Sequence, residues 1–158
     1  MKNIIVYLLI CVNMLIAFNS DDLKLLKEDG DCPKCDLSYA DLKGMDLSFS
    51  NLSDANLSHA NFNDTIAHKA DFTRADLSYA KFQRANIKGA SFVEAILKNV
   101  DFTQARIWKG DFSDAKIESC DFDNSALGSA IFQNNNLKNS TFKDAILYKT
   151  VFKNTIKN

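Results

Sequence analysis

Cys32 and Cys35, three apart in the string CPKC, are the first residues here whose type and spacing suggest chemistry. On a thioredoxin-like background such a pair exchanges electrons through a thiolate of depressed pKa; in an oxidising compartment it closes a structural disulfide. The two histidines, His59 and His68, have no cysteine or carboxylate cluster beside them at metal-ligand spacing. The sequence also contains no Gly-rich phosphate loop, no nucleophile elbow and no HExxH string. Carboxylates are plentiful, but most of the Asp recur just before an apolar residue, a place for turn and backbone hydrogen bonding rather than for a catalytic dyad. The residues thus point to no enzyme, no cofactor and no metal.

The elements that hold these residues show in a repeat. Stepping by five from Leu37 to Phe152 gives 24 positions, of which 23 are Leu, Ile or Phe and one is Ala67. Two residues before each runs a second column, Cys35 to Thr150, in which 13 of 24 are Ala and most others are small. Each unit therefore supplies one large and one small inward residue. The position before the large one is Asp or Asn in 13 of 24 units, and the two after it are mostly polar.

Neither regular element can use this spacing. Five residues turn an α-helix through about 500°, which scatters the large residues around the cylinder. In a strand an odd step sends them to alternate faces. A short unit of fixed length makes sense as one side of a coil, with coils stacked into a solenoid. From Phe62 to Phe152, Phe recurs every ten residues. Ten divides a four-sided coil of twenty residues but not a three-sided coil of fifteen, so the spacing predicts two opposite walls of stacked Phe. Composition agrees: the chain of 158 residues has one Pro and five Gly, too few for ordinary tight turns, beside twelve Phe.

The stretch DLSYADLKGMDLSFSNLSDANLSHANF resembles the pentapeptide-repeat proteins, whose unit is Ala, Asp or Asn, Leu or Phe, then two variable residues. The resemblance spans residues 32 to 154. It implies an all-β fold, a right-handed quadrilateral parallel β-helix of about six coils, roughly 29 Å long at ~4.8 Å per coil. In that frame Cys32 takes a large inward position and Cys35 the next small one, so the pair reads as structural, a disulfide if the protein is exported. Cys120 reads as an inert buried thiol.

A solenoid must cover its ends. Residues 21 to 31 predict an N-terminal capping helix that carries Leu23, Leu25 and Leu26 and covers the first coil, with Asp21 and Asp22 at its start and Gly30 at its stop. Residues 155 to 158 read as a tail. The final coil is expected either to form a homodimer, as ends do in some members of the family, or to be shielded only by Ile156.

Residues 1 to 20 differ from the rest. Lys2 precedes a fifteen-residue apolar run, Ile4 to Phe18, which polar residues then end. A cleaved signal peptide fits this layout, with a cut after Ala17 or Ser20; an uncleaved anchor over residues 4 to 18 is the alternative. The expectation is an exported protein, periplasmic or extracellular, touching a membrane only through that segment if it is retained.

Residues twenty apart should share a wall. This aligns Tyr39, His59 and Tyr79 in one exposed column, and Lys88, Trp108, Gly128 and Tyr148 in another. His59 and His68 both fall at outward positions. Exposed Trp and Tyr mark either a partner-binding patch or, for Trp108, a cation–π pair with Lys88. Residues 21 to 80 carry 12 acidic and 6 basic side chains, net -6, and residues 81 to 158 carry 8 and 12, net +4.

Two functions follow. One is a non-enzymatic, exported structural or protein-binding module. The other comes from the resemblance alone: quinolone-resistance members of the family mimic duplex DNA and occupy a type II topoisomerase. An export segment and a net charge of -1 argue against the second and against nucleic-acid binding.

Overall fold

Each five-residue unit ends in the same corner, and the corner is left-handed. In 23 non-glycine residues among those described, φ lies between 51° and 66°, as at Tyr39, Arg74 and Glu94; Gly44 and Gly89 fill two equivalent corners. A side chain in this conformation costs roughly 1–2 kcal/mol. Two hydrogen bonds hold it there. The corner N–H donates to the next coil, as Tyr39 does to Ser58 O at 2.8 Å, and the small residue behind it donates back across the turn, as Ala40 does to Leu37 O at 3.0 Å. The scarcity of glycine is thus met by repetition of one strained turn, locked by its neighbours. The Asp and Asn before the large residues tighten it further, Asp36 Oδ1 accepting from the Ser38 N–H and Asp71 Oδ1 from the Thr73 N–H.

The structure, a computed structural model, describes residues 19–156. The signal or anchor segment expected over residues 1 to 20 lies outside them but for Asn19 and Ser20. Parallel bridges join residues twenty apart, in four series that begin Asp36↔Asn56, Asp41↔Asn61, Asp46↔Ile66 and Asn51↔Asp71. Where the ladders lengthen they form short strands. β1 (Ile96–Lys98) pairs in parallel with β2 (Lys116–Glu118), and β3 (Ile131–Gln133) with β4 (Val151–Lys153). The result is a β-helix that repeats every twenty residues; its four series of bridges are called walls below and named by their first large residues: Leu37, Leu42, Leu47 and Leu52.

The interior is largely apolar. All eight Phe from Phe62 to Phe132 are fully buried. Along each Phe column the rings stack, Phe62 on Phe82 at 4.5 Å and Phe92 on Phe112 at 4.8 Å, while neighbours ten apart meet edge to face. Burying such side chains stabilises by roughly 1.5–3 kcal/mol each before entropy. Ala67, the exception among the large residues, is buried as well.

Helix α1 (Ser20–Asp29) covers the first coil with Leu26, which is buried. Its bounds correct the expected 21 to 31. The cap is Asn19, whose side chain accepts from the Asp21 N–H, and Gly30 stops the helix in the left-handed conformation. Asp22 does not cap; its carboxylate accepts the Asp36 N–H at 2.8 Å and ties helix to solenoid. At the other end the β-helix runs past residue 154: the Ile156 N–H donates to Asn135 O, and Thr155 Oγ1 donates to Phe132 O.

One ladder position fails. No bridge joins Lys116 to Asn136 among the described residues. Asn135, in the small column, is 2% exposed, and its Nδ2 donates to Phe112 O and Ala115 O. By the rule of the repeat, Ala115 O belongs to the Asn136 N–H. The side chain has displaced the backbone, and its Oδ1 is left without a partner.

Candidate functional site

The corners and walls place every side chain singled out in the sequence. Cys32 and Cys35 sit at the first corner and are joined by a disulfide, with Cα atoms 5.5 Å apart; both are buried. Nothing there resembles a reactive dithiol. Cys120 is free and buried, and burial pushes its thiol up to about 12, so it stays protonated and inert.

The six patch residues do not form one surface. Tyr39, His59 and Tyr79 lie on the Leu37 wall as a ladder, His59 stacked 4.4 Å from Tyr39 and 4.8 Å from Tyr79, within 5° of parallel. These rings occupy one another's faces. Lys88, Trp108 and Tyr148 stand two units around the coil, on the Leu47 wall. Trp108 makes no cation–π pair with Lys88. Its ring lies over Gly128, where an added Cβ would fall 2.1 Å from Cζ3 and 2.4 and 2.7 Å from its bonded neighbours. Those distances place that Cβ over the ring face, so a glycine is what lets the indole lie along the wall. Tyr148 takes the cation instead, from Lys149 Nζ at 5.2 Å.

His68 departs from its expected solvated place. It is half-buried, with Nε2 shielded from solvent and unpaired. It lines a hollow of about 370 Å³ with Phe49, Lys69, Lys88, Gly89 and Lys109. Phe49 was absent from the sequence reading. It is 71% exposed and carries Lys69 Nζ at 5.7 Å from its ring centroid. Its signal was its place outside the inward column, since every other Phe after residue 60 keeps the ten-residue step. A second cleft, about 670 Å³, opens beside the failed ladder position and includes Lys116, Ile117, Asn136 and Lys138 in its lining.

Charge pairing is ordered by coil. Arg74 donates twice to Asp54, and Arg84 twice to Asp64, each pair twenty residues apart. These hydrogen bonds hold the Asp54 and Asp64 carboxyls below the usual carboxylate range. Among the described residues no group of three or more His, Cys, Asp or Glu could hold a metal ion, and no helix is long and apolar enough to cross a membrane.

Comparison with known proteins agrees with this geometry. The profile for a pentapeptide repeat region matches residues 24–92, and that for pentapeptide repeats in eight copies matches 95–134 and 111–148. No curated protein matches. Among solved structures, a pentapeptide repeat protein from Nostoc PCC 7120 is 29% identical with a TM-score of 0.55, covering 67% of this chain and 82% of that one. A pentapeptide repeat protein from the Arabidopsis thaliana thylakoid lumen is 27% identical, TM-score 0.36, over 65% of this chain. The chain spans only 61% of that relative. A plasmid-mediated fluoroquinolone resistance protein, QnrB1, is 15% identical, TM-score 0.45, over 79% of this chain and 66% of its own. The Nostoc likeness and both profiles carry the fold, a right-handed β-helix. With its five-residue units, twenty-residue coils and left-handed corners, the chain belongs to the pentapeptide-repeat family.

Proposed function

We propose that the protein is a non-enzymatic, exported binding module: a quadrilateral rod of about six coils that presents its walls to a protein partner. One observation carries this reading. The interior is filled by stacked Phe, while Trp108, Phe49 and Tyr148 stand at exposed outward positions. A rigid scaffold with variable walls suits recognition.

Export rests on the apolar run at residues 4 to 18, and the cap supports one cut over the other. Cleavage after Ser20 would remove Asn19, which caps α1 and whose N–H donates to Asp36 O at 3.1 Å; losing such a cap costs about 1 kcal/mol. Cleavage after Ala17 keeps it. The intact mass of the native protein should therefore begin at Phe18, and a full-length mass in the cytosolic fraction would remove the export reading.

Binding is tested by placing a photo-crosslinking residue on each wall in turn, at Tyr79, Gln104, Tyr148 and Glu94, in the native cell. One wall should give a discrete protein adduct that the others do not. Adducts from none, or equally from all four, would end the binding-module reading.

A further inference from the structure

Sorting the outward side chains of the 24 units by wall reveals an asymmetry that a count along the chain hides. The Leu47 wall carries five cations, Lys69, Lys88, Arg106, Lys109 and Lys149, against one carboxylate, Asp46. The Leu37 wall has three of each sign, the Leu42 wall six carboxylates against four cations, and the Leu52 wall five against two. None of the five cations takes part in an ion pair; the pairs among the described residues involve Lys24, Lys43, Arg74, Arg84 and Lys98. The same wall exposes Phe49, Ile66, Trp108, Ile146 and Tyr148.

We infer that the Leu47 wall is the docking surface, and that its occupant is an acidic segment of another protein bearing apolar side chains at intervals. The inference rests on the binding-module reading and names its partner. Cations that no carboxylate pairs among the described residues call for carboxylates, and the isoleucines and aromatics between them call for apolar contacts; Trp, Tyr, Phe and Arg are the side chains enriched where proteins meet. The hollow at Gly89, with Lys69, Lys88 and Lys109 at its rim and Phe49 beside them, suits one anchoring side chain flanked by carboxylates.

Other occupants fit less well. From Lys69 to Lys149 is four coils, about 19 Å at ~4.8 Å per coil, so the wall offers roughly one cation per 4–5 Å where duplex DNA has one phosphate per ~1.7 Å. A single strand wants a series of free aromatic faces, and the faces of Phe49 and Tyr148 are taken by Lys69 and Lys149. Against a second rod the strip is too small: about 19 Å by about 10 Å, for three residues of ~3.3 Å rise, falls far below the roughly 800 Å² per partner of a stable interface. A flexible segment can follow the strip and wrap the Phe49 corner.

The test uses the protein with α1 and every coil intact, and a fluorescent peptide of alternating Glu-Glu-Leu and Asp-Asp-Phe triplets. Anisotropy should show binding that weakens about tenfold when salt rises from about 50 to about 300 mM. Lys88→Glu with Lys109→Glu should lose about tenfold, and Trp108→Ala about fivefold with the salt slope unchanged. Lys81→Glu with Lys143→Glu, on the Leu42 wall, should change nothing. Equal loss from that control pair, tighter binding of oligothymidylate or polygalacturonate, or no binding by a protein whose thermal melt is intact would overturn the assignment. If the peptide fails while a crosslinker on another wall gives its protein adduct, this wall is wrong and the binding-module reading survives.

Discussion

Phe92 and Phe102 meet edge to face, ring centroids 5.8 Å apart and planes at 84°, although each also stacks on a Phe of its own column. The ten-residue step places Phe on the Leu42 and Leu52 walls in turn, and the two stacked columns meet with their ring planes nearly perpendicular.

Phe102 should therefore be costly to lose and its neighbour cheap. Phe102 is fully buried, whereas Thr103 is half-buried and its hydroxyl bonds only Asp101. Phe102→Ala should cost about 3–5 kcal/mol and Thr103→Ala under about 1 in denaturant melts. Equal losses would mean the inward register is misassigned.

The cysteines separate by reactivity. Folded protein processed after Ala17 should show no thiol to an aromatic disulfide reagent at pH 8, because Cys32 and Cys35 are bonded and Cys120 is buried. Denatured protein processed after Ala17 should show one thiol, and full-length protein two, the second from Cys11. The Cys120 thiol is raised in the folded state, so its contribution to stability is full below about pH 9 and is lost as pH climbs to about 12. Cys120→Ala, which returns the position to the commonest residue of its column, should flatten that alkaline decline.

Asn135→Ala should behave unlike most buried polar deletions. It removes two hydrogen bonds, but it also removes an unpaired buried oxygen and frees Ala115 O for the backbone. The melting temperature should hold or rise, and the Asn136 amide should gain protection from hydrogen exchange. A large loss of stability would show that the side chain supports the coil it interrupts.

A mimic of duplex DNA needs rows of carboxylates, about one per 1.7 Å, and Lys81, Arg84, Lys88, Lys98, Arg106, Lys109 and Lys116 interrupt the middle coils. These cations would repel a basic DNA-binding saddle. At micromolar concentration the protein should leave gyrase supercoiling unchanged, and stoichiometric inhibition would restore the topoisomerase reading.

The register was legible because inward chemistry repeats without a slip from Leu37 to Phe152. The corners were not, because residues such as Glu94 and Tyr39 carry no sign of a positive φ; the neighbouring coil imposes it. Asn19 was hidden as a cap by its place at the end of the apolar run. The basic wall escaped a count along the chain, because its cations are interleaved in sequence with the carboxylates of three other walls.

The fixed twenty-residue spacing of the bridges also governs how such a chain can change length. Gaining or losing twenty residues adds or removes a whole turn and leaves every later side chain facing the same way. A change of five keeps the core equally well filled, yet turns everything downstream by one side, carrying Trp108 and Lys109 from one flank of the molecule to the next. For this architecture an insertion is a rotation, and recognition can be re-aimed without altering a single exposed residue.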